Sequence, residues 1–527
     1  MQSADDVASP PSPRLRRGLA EALRPEAGRF RQTAMFAFCI LPLALLSCAK
    51  ASPSTSPPSS RLDQLRREIT QATQTPGVQR GVWGIVVHSL DRNERLFEMQ
   101  PGALLVPASV AKLAVVATAA EAVGWNYQFE TTLRVTGPIR DGVLTGDLLI
   151  VGSGDPTIGG RAGEDLSGWL AAVQAAGIRR IDGRIIGDDD AIEEPRPQLA
   201  WAWDDLGYPA GALFGALNYA ENRLTVTVTP GTAPGAATTL GVEPQAMSRS
   251  LATIAVTGSA GSVQQIWPEQ RPGDPFLTIA GSIPAGAPPV RLNVAVGNPT
   301  FWFASVLRNR LQAQGVDVTG DAWDIDDVRP LPDRGRAEVI FTHRSKPLRE
   351  IVQPLLKESI NLYAEAVMRL NAMPGQVLTN DAALEGFGRR MAAWNVPAAA
   401  QQQVDGSGLS RRGTIAAETV FAVLQHMHDP SGSSPFVTAL PLAGVDGTLS
   451  ERMKSTPAAG NVRAKTGTMS NIRSLAGYVK TVDGEMLAFV VMVNNFEGTG
   501  SAANLALDAI AVRLATFSRR LGGGSVR

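Results

Sequence analysis

From Val110 to Ala120 the chain reads Val-Ala-Lys-Leu-Ala-Val-Val-Ala-Thr-Ala-Ala, and Lys112 is the only charge in that run. A helix of this composition is apolar on every face, which places it inside a core rather than on a surface. It falls short of the roughly 20 residues that cross a bilayer. Pro107 and Ser109 mark its start, because proline suits a first turn and serine is a favoured cap. The fold must therefore be built around a buried helix that carries a lysine near its front end.

Ser109 and Lys112 are three positions apart, so their side chains share one helical face. Desolvation favours the neutral amine and lowers the lysine pKa. A neutral amine beside a hydroxyl is a general base beside a nucleophile. The free N–H groups of a helix start also face developing negative charge. A plainer arrangement fits the same residues, with Ser109 only a cap and Lys112 extending its ammonium to solvent. The S-x-x-K spacing alone does not decide, since Ser47-x-x-Lys50 matches it within a targeting segment.

That targeting segment is Ala34 to Cys48, an apolar run preceded by Arg24, Arg29 and Arg31. It reads as a secretory signal, too short and too interrupted by proline for a stable spanning helix. Leu45-Leu-Ser-Cys48 looks like a bacterial lipobox, which implies cleavage before Cys48 and lipidation of its sulfur. Simple secretion with Cys48 near an ordinary cleavage site is the alternative. The stretch from Ala49 to Ser60 is rich in Ser and Pro and reads as a flexible tether. The mature protein keeps no cysteine except Cys48, so its core alone must hold it together.

The 527 residues suffice for two or three domains. Lys+Arg and Asp+Glu are equal at 49 each, so nothing argues for nucleic acid as a partner. Four His and two Cys provide poorly for metal chemistry, and neither a metal nor a cofactor is expected. No G-x-S-x-G occurs, which disfavours a nucleophile elbow with a histidine triad.

Arg61 to Ala72 has the spacing of an amphipathic helix, and Val82 to Leu90 and Arg95 to Met99 read as a hairpin ahead of the buried helix. From about Thr131, short β-like runs alternate with turn residues: Thr132 to Val135, Val143 to Val151, Ile178 to Ile186, Arg223 to Val228, Ala252 to Thr257 and Val290 to Val296. Helical patterns return near Gly297, first over Pro299 to Gly315 and then over Pro347 to Arg369. Ser474 to Thr481 and Glu485 to Asn494 form a second hairpin around Asp483-Gly484, followed by a last helix from Ala502 to Phe517. The two ends mirror one another, which predicts one sheet built from both, with the β-rich stretch inserted between them.

Two further boxes follow the first in order: Ser359-Ile-Asn361, the only S-x-N, and Lys465-Thr-Gly467, the only K-T-G. The gap between Ser109 and Ser359 is long enough for an inserted domain, and that between Ser359 and Lys465 is not. Together the three supply the parts of one acyl-transfer site.

From about Leu62 to the last helix the chain resembles the low-molecular-mass class C penicillin-binding proteins, the D-alanyl-D-alanine carboxypeptidase/endopeptidase family. The resemblance rests on Pro107-Ala-Ser-Val-Ala-Lys112, Gly152-Ser-Gly-Asp-Pro156, Trp201-Ala-Trp-Asp-Asp205, Ser359-Ile-Asn-Leu-Tyr-Ala-Glu365, Asp405-Gly-Ser-Gly-Leu-Ser-Arg411, Gly444-Val-Asp-Gly-Thr448 and Lys465-Thr-Gly-Thr468. It implies an α/β (α+β) transpeptidase fold like that of penicillin-binding proteins and β-lactamases, an antiparallel sheet flanked by helices. Residues 61–130 and 296–527 would form the catalytic domain and 131–295 the inserted β-rich domain, after a signal segment at 1–48 and a tether at 49–60.

The same resemblance implies roles. Ser109 would attack the carbonyl between two terminal D-alanines while Lys112 takes its proton. Ser359 would relay a proton to the leaving amine, and Asn361 would hold the substrate amide and Lys112. Lys465 would supply positive potential. Thr466 and Thr468, flanking Gly467, would bind the terminal carboxylate, and the N–H groups of Ser109 and Thr468 would form the oxyanion hole. Asp205 and Arg411 match positions that read the peptide stem. The implied partners are peptidoglycan stem peptides, β-lactams as covalent inhibitors, and a membrane only through the lipid anchor. The implied location is extracytoplasmic, in the periplasm or cell envelope. Ile360 departs from the usual Asp or Asn, and no motif marks a Glu as deacylation base. Two other readings use the same residues: a β-lactamase or esterase on this scaffold, and a non-catalytic lipid-anchored peptidoglycan-binding protein.

Overall fold

Strands from opposite ends of the chain, Val82–Ser89 and Met486–Asn494, pair antiparallel in register from Val82 with Asn494 to Ser89 with Leu487. The computed structural model describes residues 60–161, 165–243, 251–270, 277–372 and 377–520. The signal segment, Cys48 and nearly all of the tether lie outside these residues. The five-stranded sheet runs Glu94–Met99, Val82–Ser89, Met486–Asn494, Ile472–Lys480 and Arg463–Met469, every pairing antiparallel. This is the sheet expected from the mirrored ends.

Its faces show why the strand sequences are apolar throughout. Ala488, Val490 and Met492 point into one cluster, and Leu487, Phe489, Val491 and Val493 into another. A strand buried on both faces loses the polar alternation of a half-exposed one. The second cluster is closed by the helices Arg61–Thr73 and Gly500–Thr516. The first contains the helix Ala111–Val123, which has ten buried residues in succession from Ala111 to Ala120.

The run expected to be helical from Pro347 to Arg369 is two helices, Leu348–Lys357 and Asn361–Arg369. They part at Ser359, whose φ of 63° lies in the left-handed region, where an L-residue cannot continue a helix. This break presents the hydroxyl of Ser359 and the first-turn side chain of Asn361 together.

In the inserted part, the expected strands over Val143 to Val151 and Ile178 to Ile186 each divide into shorter pieces, Val143–Leu144 with Leu148–Val151 and Arg180–Ile181 with Ile185–Asp188. The sheet Ala322–Asp324, Ile185–Asp188, Leu148–Val151, Glu130–Val135, Glu338–Arg344 forms its base. Two helices join this body that the sequence pattern did not assign to it. Ser167–Ala175, read over as part of a β-rich stretch, buries Trp169, Leu170 and Val173. Pro299–Ala313 packs Trp302, Phe303 and Leu307 into the same cluster. The strand Glu338–Arg344 also pairs with Glu130–Val135. The pairing and packing therefore carry the inserted part through Arg344, past the boundary expected at 296. Helical periodicity alone does not tell which body a helix joins. Among the described residues no helix is long and apolar enough to cross a membrane.

Candidate active site

Pro107 and the turn Ala108–Val110 lead directly into the buried helix. Ala108 has φ of 49°, a left-handed conformation worth of order 1–2 kcal/mol of local strain in a non-glycine residue. Two glycines permit it. A Cβ on Gly408 would stand 2.1 Å from the Ala108 carbonyl oxygen, and one on Gly467 would stand 2.5 Å from that of Pro107. The glycine of the K-T-G box is thus the place where the edge strand Arg463–Met469 admits the serine turn.

Ser109 caps nothing. Its Oγ accepts a hydrogen bond from Lys112 Nζ at 2.7 Å, and the same Nζ donates to Asn361 Oδ1 at 2.8 Å and to the Ser407 carbonyl at 2.6 Å. Lys112 is fully buried, so the plainer arrangement with its ammonium in solvent is not the one adopted. Burial lowers its pKa to about 7, opposed by the negative charges of Asp405 and Glu365. The amine is therefore available in its neutral form near neutral pH.

Lys465 is also fully buried, donating to Ser359 Oγ at 2.9 Å and to the Thr466 carbonyl at 2.8 Å. Burial first, and the neighbouring Lys112 second, push its pKa well down. The structure thus brings Ser109, Lys112, Ser359, Asn361 and Lys465 together as two hydrogen-bonded sets, Ser109 and Asn361 on Lys112 and Ser359 on Lys465, with the Lys112 charge close enough to act on Lys465. Asn361 Nδ2 donates to the Ala210 carbonyl of the inserted part at 2.8 Å, which fixes the amide with its oxygen toward Lys112.

A cavity of about 570 Å³ opens onto this group, lined by Ser109, Asn361, Asp205, Arg411, Thr468 and Arg473 among others. Asp205 and Arg411, read from the stem-peptide motifs, both stand there. Burial raises the Asp205 carboxyl, as does Asp204, and Arg411 opposes them. Thr466 does not line the cavity: it is buried and its Oγ1 donates to Thr448 Oγ1 at 2.8 Å. Gly467 serves the close approach described above. Of the three K-T-G-T residues expected to bind substrate, Thr468 is the one whose side chain is exposed at the cavity.

The sequence reading gave no role to the groups that hold Lys112 in place. Glu365 lies four residues after Asn361 and buries its carboxylate against the N–H groups of Gly406 and Ser407, at 3.1 and 2.9 Å. Burial and the negative charge of Asp405 raise its pKa, and Arg369 opposes this. Asp405 accepts the N–H groups of Gly408 and Ser410 and the indole N–H of Trp201. These two carboxylates shape the Asp405–Ser410 loop, and the loop turns the Ser407 carbonyl onto Lys112. The i, i+4 spacing from Asn361 to Glu365 was the available signal for the first of them.

With this geometry in hand, known proteins show the same architecture. Residues 65–517 match the D-Ala-D-Ala carboxypeptidase 3 (S13) family. The chain is 33% identical over 523 residues to a D-alanyl-D-alanine carboxypeptidase of Actinomadura sp. (strain R39), covering 96% of this chain and 95% of that one. It is 25% identical to the D-alanyl-D-alanine carboxypeptidase DacB of Haemophilus influenzae over 83% of this chain and 90% of the relative. The crystal structure of penicillin binding protein 4 from Haemophilus influenzae superimposes with a TM-score of 0.75 at 24% identity, covering 85% of this chain and 99% of that one, a likeness of fold. The chain belongs to the D-Ala-D-Ala carboxypeptidase 3 (S13) family and is a serine-type carboxypeptidase, a hydrolase.

Proposed function

We propose that this protein cleaves the bond between the terminal D-alanines of peptidoglycan stem peptides through an acyl-enzyme on Ser109, and that β-lactams acylate the same oxygen. The observation that carries this is Lys112, an amine fully buried with a pKa lowered to about 7 and 2.7 Å from the Ser109 oxygen. The neutral amine takes the Ser109 hydroxyl proton as Oγ bonds to the carbonyl carbon. The N–H groups of Ser109 and Thr468 hold the oxyanion, in keeping with the place of Thr468 on the edge strand beside the serine turn. The C–N bond then breaks, and the proton passes from Lys112 through Ser359 to the departing D-alanine amine. In the second half a water attacks the ester and gives its proton to Lys112, now neutral again, and Ser109 is regenerated. Among the described residues lining the cavity Asp205 is the one carboxylate, so Lys112 is the base nearest the ester in both halves.

Lys465 acts through charge. Its pKa is well lowered in the free protein, and an arriving substrate carboxylate would restore its proton by Coulomb attraction. Asp205 and Arg411 at the cavity present opposite charges to the stem peptide, with the action lying outside the cytoplasm and a lipid anchor at Cys48. The relatives carry the name carboxypeptidase, and endopeptidase cleavage of cross-links uses the same chemistry on a longer leaving group. A fluorescent penicillin is expected to label the wild type and not Ser109→Ala. Slow loss of the label separates this activity from rapid β-lactam turnover, and equal labelling of both proteins would overturn the assignment.

A further inference from the structure

The strand Ile185–Asp188 runs into Asp188-Asp189-Asp190, on the side of the inserted part where the turn Ile325–Asp327 sits. Oxygens of Asp189, Asp190 and Glu194 lie within 4.8 Å of one another, and the Glu194 carboxyl is within hydrogen-bond reach of that of Asp326. Carboxylates do not gather at such distances without a counter-charge unless other groups satisfy them. Most of the neighbouring acids are satisfied. Asp188 Oδ2 and Asp190 Oδ2 pair with Arg334 at 2.9 and 2.5 Å, and Asp324 accepts the Asn298 amide at 2.8 Å. Asp189 is different. It is 2% exposed, its Oδ2 accepts the Thr300 hydroxyl, and its Oδ1 has no hydrogen-bond partner. A buried carboxylate oxygen left unmet destabilises the fold, because it has lost water and gained no donor in return.

We propose that Asp189, Asp190 and Glu194, with Asp326 beside them, bind one hard divalent cation, Ca²⁺ in preference to Mg²⁺. The donors are all oxygens, which selects a hard cation over zinc or copper. Asp189 would contribute its buried Oδ1 and the two exposed acids would adjust around it, a mixed and irregular shell that suits calcium better than the strict octahedron of magnesium. Counting His and Cys in the sequence could not reveal such a site.

The position gives the cation a structural task. The chain leaving Asp190 runs to the cavity, where Trp201 bonds Asp405 and Ala210 bonds Asn361. Its Glu193 also holds Arg369 and the N–H of Asn380. A cation between Asp189, Asp190, Glu194 and Asp326 fixes the start of this segment to the inserted part, so metal loading protects it from local opening.

The test uses full-length protein stripped with EDTA and titrated with CaCl₂ or MgCl₂ by calorimetry, with chymotrypsin cleavage at the exposed Leu199 and Trp203 followed in parallel. One Ca²⁺ per chain is expected, with slower cleavage of the loaded form and weaker Mg²⁺ uptake. Asp189→Asn and Glu194→Gln should each weaken Ca²⁺ binding ten-fold or more, while Glu451→Gln on a distant exposed surface should not. Glu194 is exposed, so its variant tests the site even where Asp189→Asn fails to fold. No uptake by the wild type up to about 10 mM, beyond the weakest extracellular calcium modules, or undiminished uptake by Glu194→Gln, overturns the proposal.

Discussion

Trp201 Nε1 donates to Asp405 Oδ2 at 2.7 Å, joining the inserted part to the loop whose Ser407 carbonyl accepts from Lys112. The bond is buried and charge-assisted, so it fixes the loop more firmly than a neutral contact would. Asp405 has one further oxygen and spends it on the Gly408 N–H. Trp201→Phe removes the donor and keeps most of the ring. It should cost about 1–3 kcal/mol of stability and slow acylation by a β-lactam, because Lys112 loses part of its support. Thermal unfolding and stopped-flow acylation measure both. An unchanged acylation rate would mean that the loop holds its shape without the indole.

The pH profile follows from Lys112. Its folded pKa is lowered to about 7 by burial, and the base form is the deprotonated one. Acylation should therefore rise with pH, be half-developed near pH 7 and level off above it, a direction opposite to that of a catalyst needing a charged lysine. Lys112→Arg keeps a cation that cannot lose its proton and should abolish acylation at every pH. Second-order acylation rates with a chromogenic β-lactam from about pH 5 to pH 9 settle the sign.

The catalytic boxes were legible because each places a reactive side chain on a short local pattern, as Ser109 and Lys112 share one helical turn. The supports were not, because they act across the chain. The i, i+4 spacing from Asn361 marks the helix face of Glu365 but not its partners, the N–H groups of Gly406 and Ser407, which lie 41 and 42 residues further along the chain. Thr466 misled for the opposite reason. It lies inside a recognised box and shares a strand face with Thr468, yet it is buried with its hydroxyl on Thr448, while Thr468, further along the edge strand, is exposed at the cavity. The helix Pro299–Ala313 was visible from periodicity, but its packing on the inserted sheet depends on which surfaces Trp302 and Phe303 find.

Gly408 has φ of 75°, and a Cβ there would meet the Ala108 carbonyl oxygen. The obstacle is backbone, which cannot swing aside as a side chain does. Gly408→Ala should push the serine turn away from Lys112, and an ångström of misplacement costs on the order of 10²-fold in rate. Fluorescent-penicillin labelling of the soluble variant reads this directly. Gly177→Ala is the control, since it has a similar φ of 74° with open space around the added carbon, so it reports backbone strain alone.

Thr466 and Thr468 separate a packing hydroxyl from a binding one. Thr466 is buried, with Oγ1 on Thr448, whereas Thr468 is exposed at the cavity beside Ser109. Replacing each by Val keeps the β-branched shape and removes only the hydroxyl. Thr466→Val leaves Thr448 unpaired and should lower stability by about 1 kcal/mol with KM for a D-Ala-D-Ala peptide little changed. Thr468→Val should leave stability nearly untouched and raise KM several-fold, since its hydroxyl is free for a substrate carboxylate. The reverse pattern, with KM responding to Thr466 alone, would return the carboxylate contact to the position that the sequence motif first suggested.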